Sequence, residues 1–174
     1  MDVLECIRTR RSVRSFKSKQ IENETLNKIL ESATLAPSSG NLQNWEFVIV
    51  KEKRSKEELV KIALGQNFIA EAPIVVIVCS NQKRISVYGE RGDKLYSIQN
   101  TAAAIQNLLL AAWSFGIGSC WVGAFDEKAL SGFLKLPEHI RPVAMIPLGY
   151  PDEKPIKPKR SEGIFWLEKY GSKA

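Results

Sequence analysis

The sequence predicts an α+β fold in which about four core strands are covered by helices, and three observations carry that reading. Apolar, β-branched runs recur along the chain: "WEFVIV" at 45–50, "PIVVIVCS" at 73–80, "RPVAMIPLGYP" at 141–151 and the shorter "SCWVGAF" at 119–125. One stretch, "TAAAIQNLLLAAW" at 101–113, is apolar around most of a helical circumference, so that helix is expected inside a core or an oligomer interface. The chain then closes on "DEKPIKPKRSEG", which is too polar for a core and reads as an extended arm.

The elements follow in order. Asp2 is placed to cap a first short helix through Cys6 or Ile7, with Glu5 where a capping-box acid reaches back. "SVRSF" then reads as extended chain. Asn23 starts a second helix with Leu26, Ile29, Leu30 and Ala33 on one face, ended by Pro37. The strand "WEFVIV" comes next. Ser55 with Glu58 predicts a capping box for "KEELVKIAL", closed by Gly65. "PIVVIVCS" is expected to be a strand buried on both faces. The longest helix is expected from Asp93 to Phe115, stopped by Gly116. A short strand over "SCWVGAF" ends at a glycine, and Asp126 caps "EKALSGFLKL", closed by Pro137. "RPVAMIPLGYP" is the last core strand. The aromatics of "IFWLEKYG" at 164–171 imply that the arm's end packs on something. No repeat or linker divides the chain, and its length suits one domain over 1–174.

Composition narrows the function classes. A net charge of +6 is a mild basic excess, compatible with a polyanion, a solvated surface or an anionic cofactor. Cys6, Cys79 and Cys120 are odd in number and form no CxxC, which argues against a disulfide framework or structural zinc and fits a reducing cytoplasm. No metal site is expected. The first residues, "MDVLECIRTRR", lack an apolar signal core, and the longest apolar run, "LLLAAW", is too short to cross a bilayer. The single histidine, His139, excludes chemistry that needs two and reads as a loop residue. No Ser-His-Asp set, P-loop or paired-carboxylate motif is evident. If the chain is an enzyme, a cofactor supplies the reactivity.

Four stretches could carry that chemistry. In "RTRRSVRSF" at 8–16, four arginines crowd together with Ser12. They suit a solvated basic face, a nucleic-acid surface or a phosphate pocket. The cluster is compact and no recognition helix accompanies it, which disfavours nucleic acid. In extended chain Arg10, Ser12 and Arg14 share a face, and two guanidiniums with a hydroxyl suit one anion. Strict alternation turns Arg11 away. "APSSGNLQNW" at 36–45 is a plain surface loop by composition, yet it offers uncharged donors and acceptors that suit a flat heterocycle. "GIGSCWVGAF" at 116–125 has glycines that let a backbone approach a ligand. Helix capping explains Gly116 and turn geometry Gly118, but neither explains Gly123 as well. "KPKR" at 157–160 matters only if Lys159 or Arg160 folds back toward Arg10.

Taken together, "RRSVRSF", "APSSGNLQNW", "GQNFIAEAP", "FGIGSCWVGAF" and "PLGYP" occur in an order and at spacings that resemble the nitroreductase family of FMN-dependent oxidoreductases, over about Ile7 to Tyr170. The resemblance implies a nitroreductase-like α+β sandwich with a mixed central sheet. It also implies an intertwined homodimer whose C-terminal arms are exchanged and whose two FMN molecules lie at the interface. By position, Arg10, Arg11 and Ser12 would hold the FMN phosphate and ribityl chain. Arg14 would stand near the flavin N1/O2 edge. Pro37, Ser38 and Ser39, with Asn41 nearby, would come from the partner chain. Asn67, and with it Gln66, would contact the pyrimidine edge. Gly123 would offer its N–H near N5, and Lys159 and Arg160 would close the phosphate site.

The implied activity is ping-pong hydride transfer from NAD(P)H through FMN to a small acceptor such as a nitroaromatic or quinone. No catalytic side chain is strictly needed, and neither nucleic acid nor membrane takes part. A non-catalytic flavin-binding or redox-sensing protein is the alternative outside enzymology. A specialised enzyme of the same fold, a dehalogenase or flavin-modifying one, is the alternative within it. Two positions depart from the family pattern. Asn44 stands where a proline often precedes the tryptophan, and the tail loses the middle of its usual run after the basic pair.

Overall fold

The structure, a computed structural model, describes residues 1–172. Its centre is a four-stranded sheet in the order β1-β2-β4-β3, formed by β1 (Trp45–Val50), β2 (Ile74–Asn81), β3 (Gly118–Ser119) and β4 (Ile140–Gly149). β2 is buried along almost its whole length, as its unbroken apolar sequence requires. Alternation along β2 divides the core in two. Ile74, Val76 and Val78 face one layer, with Ile29 and Ala33 of helix α2 (Asn23–Thr34) and Ile105, Leu108 and Ala112 of the central helix (Ser97–Ser114). Val75, Ile77 and Cys79 face the other, with Leu59 and Ile62 of helix α3 (Lys53–Ile62), Ile69 of helix α4 (Phe68–Glu71) and Leu130 of the Glu127–Phe133 helix. Burying one such Ile or Leu contributes about 1.5–3 kcal/mol, so the sandwich is held from both faces of one strand.

The mixed sheet expected from the sequence is narrowed. All four strands pair antiparallel, and among the described residues the one parallel pairing is a single bridge between Ser12 and Ser119. That bridge belongs to the extended N-terminal segment, whose Val13 N–H donates to the Ser119 carbonyl at 2.9 Å. Val13 and Phe16 are buried there, and each lies against a glycine. A Cβ on Gly118 would meet Val13 Cγ2 at 2.8 Å, and one on Gly149 would meet Phe16 Cδ1 at 2.9 Å. Gly118 is therefore explained by close packing rather than by turn geometry.

Several boundaries move. Helix α1 (Val3–Thr9) starts as expected, with the Asp2 carboxylate accepting from the Glu5 N–H at 3.0 Å. Helix α3 starts two residues before Ser55. Its first turn has no side-chain cap, and Glu58 pairs with Lys61 instead of closing a box. A Ser-x-x-Glu spacing fits helix interiors as well as helix starts, and here the interior wins. The central helix begins at Ser97, with Gly92–Tyr96 wound as a π-turn before it. β3 covers only Gly118–Ser119, after which Val122 returns to the sheet through an isolated bridge to Met145. The central helix buries one stripe, from Asn100 and Thr101 to Ala112. Beside it Met1, Val3, Leu110, Ala111 and Phe115 line an apolar groove of about 340 Å³.

Among the described residues, no helix is long and apolar enough to cross a membrane. Nor, among them, is any group of three or more His, Cys, Asp or Glu residues placed to hold a metal ion.

Candidate functional site

The arginine-rich stretch leaves α1 by a sharp turn. Arg10 is the helix C-cap, with φ −54° and ψ 132°, and its N–H donates to the Cys6 carbonyl at 2.8 Å. Arg11 then folds back, and its Nη1 donates to the carbonyls of Arg8 at 2.8 Å and Arg10 at 2.7 Å. A guanidinium on the last carbonyls of a helix satisfies orphan acceptors and the negative end of the helix dipole. Beyond the turn Val13 is buried and its neighbours Ser12 and Arg14 are exposed on the opposite face. The bend reconciles alternation with position: Arg10, Arg11, Ser12 and Arg14 all line one cavity of about 420 Å³.

The other wall is the C-terminal arm. Glu153, Pro155, Ile156, Pro158 and Arg160 complete the cavity, so four guanidiniums converge with one carboxylate among them. Burial, then the neighbouring Arg160 and Arg11 cations, pull the Arg10 guanidinium below its ordinary pKa. The share due to the two neighbouring cations is one that an anion in the cavity would relieve. Cys120 lies behind the same wall. Burial raises its thiol pKa, opposed by Arg14, Ser12 and Arg10.

The remaining predicted residues lie elsewhere in the chain. Lys159 lines an adjoining hollow with Lys157, Pro158, Arg160 and Glu162, outside the arginine cavity. Arg160 alone of the basic pair reaches both. Pro37, Ser38, Ser39 and Asn41 do not line the cavity. Their loop is nonetheless closely fixed. The Ser39 N–H and hydroxyl both donate to Asn100 Oδ1, at 3.0 and 3.1 Å, and the Gln43 N–H donates to Ser38 Oγ at 3.0 Å. Asn41 and Gln43 hold φ of 55° and 46°, a conformation that non-glycine residues keep only when their surroundings impose it.

Gln66 and Asn67 also stand apart from the cavity, but Gln66 has a definite task. Its Nε2 donates to the carbonyls of Ala63 at 2.9 Å and Ala124 at 3.0 Å, which fixes the backbone beside Gly123. Asn67 is exposed at the start of α4. Gly123 is exposed, and a Cβ there would meet nothing within 4 Å. Packing in this chain gives no reason for glycine at 123. His139 sits in a turn, where its carbonyl accepts from the Gln82 N–H at 2.8 Å.

Two groups of residues escaped the sequence reading. The arm residues Glu153, Pro155, Ile156 and Pro158 had only composition to mark them. The second group is a buried polar chain of Asn44, Ser80 and Asn100. Asn100, an amide within the buried stripe of an apolar helix, was its available signal.

This is an α+β sandwich with a cationic cavity where its first and last segments meet, the architecture of a small-molecule anion or cofactor binder. The sequence model described as the nitroreductase family matches residues 7–73 and 63–150, and the chain belongs to that family. It is 35% identical over 159 residues to a protein of Methanothermobacter thermautotrophicus that carries the provisional name NADH dehydrogenase/NAD(P)H nitroreductase, covering 89% of this chain and 80% of that protein. It is 27% identical over 173 residues to FMN reductase [NAD(P)H] of Bacillus subtilis, covering 91% of this chain and 70% of that one. The fold matches the NADPH:FMN oxidoreductase of Vibrio harveyi complexed with NAD+, with a TM-score of 0.88 and 25% identity over 97% of this chain and 77% of that one.

Proposed function

We propose that this chain is an FMN-dependent NAD(P)H oxidoreductase that works as a homodimer. The observation that carries the proposal is the convergence of Arg10, Arg11, Arg14 and Arg160 on one cavity with Ser12 at its rim. A compact site of this kind suits a single phosphate rather than a polyanion, which would need basic residues spread over a wide surface. The donor set fits the phosphate of FMN, and the names of the relatives point to the same cofactor and to NAD(P)H.

In this reading Arg10, Arg11, Ser12 and Arg160 bind the phosphate and ribityl end, with Lys159 supplementing the field from the adjoining hollow. Arg14 sets a cation beside the N1/O2 edge, where negative charge collects on reduction. Gly123 leaves room for the ring to reach its backbone N–H, and Gln66 steadies that backbone through Ala124. Asn67 faces the pyrimidine edge. When bound, FMN supplies hydride acceptance and release at N5. NAD(P)H and a small acceptor, a nitroaromatic or quinone, use the same cleft in turn. No side chain needs to move a proton for hydride transfer itself.

A second copy completes the site. Pro37, Ser38, Ser39 and Asn41 form a fixed loop that lines neither the arginine cavity nor the groove between α1 and the central helix, and that groove is largely apolar. These features support a dimer in which the loop serves the neighbour's flavin and the arm wraps it. The three free cysteines are buried, which accords with a cytoplasmic protein. The whole chain then acts as one domain.

The test is direct. The purified protein should bind FMN and turn yellow, bind riboflavin far more weakly, and oxidise NAD(P)H in the presence of a nitro compound or quinone. Protein that stays colourless with excess FMN refutes the proposal. Flavin binding with no NAD(P)H oxidation would make it a flavin-binding or redox-sensing protein instead.

A further inference from the structure

The arm begins as a strand and then stops being one. Residues 15–17 and 150–152 pair antiparallel: the Lys17 N–H donates to the Tyr150 carbonyl, the Asp152 N–H donates to the Ser15 carbonyl, both at 2.9 Å, and Phe16 bridges Pro151. Lys19 lies over the Tyr150 ring at 4.2 Å and covers the same junction. In this register Arg14 faces Glu153 as the next, non-hydrogen-bonded pair, whose main-chain groups do not bond across the ladder. The Arg14 N–H instead donates to Oε1 of the Glu153 side chain. The junction thus ends on a side-chain contact, and among the described residues no main-chain rung follows it.

From there residues 154–163 make no hydrogen bond among the described residues. Pro155, Ile156, Pro158 and Arg160 nevertheless wall the cavity opposite Arg10. Their placement depends on where and in which direction the arm leaves the body. The prolines at 155 and 158 stiffen the path, which suits a short rigid span rather than a loose tail. Glu153 is also the one acid lining the cavity, and no ion pair among the described residues engages it. Among the described residues no ion pair engages Arg10, Arg14 or Arg160 either, while Arg11 is held by the carbonyls at the end of α1.

We propose that Glu153 is the latch of this cavity: its carboxylate, fixed on the Arg14 N–H, sets the exit of the arm and so holds Arg160 across from Arg10. Glu153 is a positioning residue, and its effect on cofactor affinity rests on the FMN reading given above. Hydrogen-bond acceptance matters to the latch and negative charge does not. The charge works against the phosphate, so the two can be separated by substitution.

The experiment compares the parent with Glu153→Gln, Glu153→Ala and Glu153→Asp, using trypsin and FMN titration. Lys154 and Lys157 precede prolines, so cleavage in the arm reports Lys159 and Arg160. Glu153→Ala, and Glu153→Asp with its shorter reach, should speed cleavage there by about tenfold, the scale of one lost charge-assisted hydrogen bond. Glu153→Gln, which keeps an acceptor, should cleave within about twofold of the parent. By flavin fluorescence, Glu153→Ala should weaken FMN by about tenfold, whereas Glu153→Gln should bind as tightly as the parent or more tightly. Adding Arg160→Ala should cost little in the Glu153→Ala background and much in the parent, because the two act through one geometry. Cleavage unchanged in both Glu153→Ala and Glu153→Asp, or additive effects of Glu153→Ala and Arg160→Ala, overturns the latch. Faster cleavage with FMN bound no better than riboflavin keeps the latch and removes the phosphate reading.

Discussion

Asn44 and Asn100 share a hydrogen bond at the centre of the protein, with Asn100 Nδ2 donating to Asn44 Oδ1 at 2.7 Å. Asn44 passes the chain on, its Nδ2 donating to Ser80 Oγ at 2.7 Å. Asn100 Oδ1 in turn receives both the N–H and the hydroxyl of Ser39. The departure at position 44 thus exchanges a rigid proline for a hydrogen-bonded link between the central helix and β2, on the same Asn100 that holds Ser39. Because all three polar side chains are buried, removing one strands its partners. Asn100→Ala should lower stability by about 1–3 kcal/mol in denaturant unfolding, and should raise hydrogen exchange at the Ser39 amide.

Burial and neighbouring cations hold the Arg10 guanidinium below its ordinary pKa, and its loss should be read in ligand affinity. Arg10→Ala is expected to weaken FMN by about 1.5–3 kcal/mol, the range for a hydrogen bond to a charged group. Raising salt should weaken FMN in the parent and much less in the variant. Unchanged affinity would count against the phosphate assignment.

The glycines at 118 and 123 should behave oppositely. Gly118→Ala drives a Cβ into Val13, a packed neighbour, and should cost about 1–3 kcal/mol of stability. Gly123→Ala meets nothing in the chain and should leave the melting temperature within error. Its effect should fall instead on the rate of NAD(P)H oxidation, since a methyl group would stand between the backbone and the flavin.

Burial pushes the Cys79 thiol up to about 12, from an ordinary 9.0. A folded-state pKa above the unfolded one contributes stability that is complete below pH 9 and is lost as pH rises toward 12. Cys120 shifts the same way. Lys56 opposes them: burial lowers its ammonium pKa, so the cost of that charge is present at lower pH and disappears as pH passes through its folded value. Unfolding free energy measured from pH 8 to 11 should therefore fall less steeply in Cys79→Ala than in the parent. It should fall more steeply in Lys56→Met. At neutral pH none of the three thiols should react with a disulfide reagent until the protein is unfolded.

The layers of this fold were legible because β2 is apolar at every position from Ile74 to Cys79, which only two covered faces explain. The start of α3 was not, because its one spacing signal also fits a helix interior. At the site, Arg10, Ser12 and Arg14 followed from alternation. Arg11 did not, since its place depends on a turn at a helix end that periodicity does not encode. Glu153 was illegible for a related reason: a carboxylate that accepts from a backbone N–H far away in sequence leaves no pattern in composition. Asn44 was visible only as a departure, and its partner Ser80 lay hidden in an apolar strand. Those links join residues far apart in sequence, so no local spacing records them.

The last turn of the chain leaves Phe165, Leu167 and Tyr170 in solvent, with only Trp166 stacked on Tyr170. Such surface makes protein concentration a thermodynamic variable. If a second copy covers it, the melting temperature should climb with the logarithm of concentration, and dilution alone should loosen the cofactor. A variant shortened after Gly163 should show a shallower dependence on concentration than the parent.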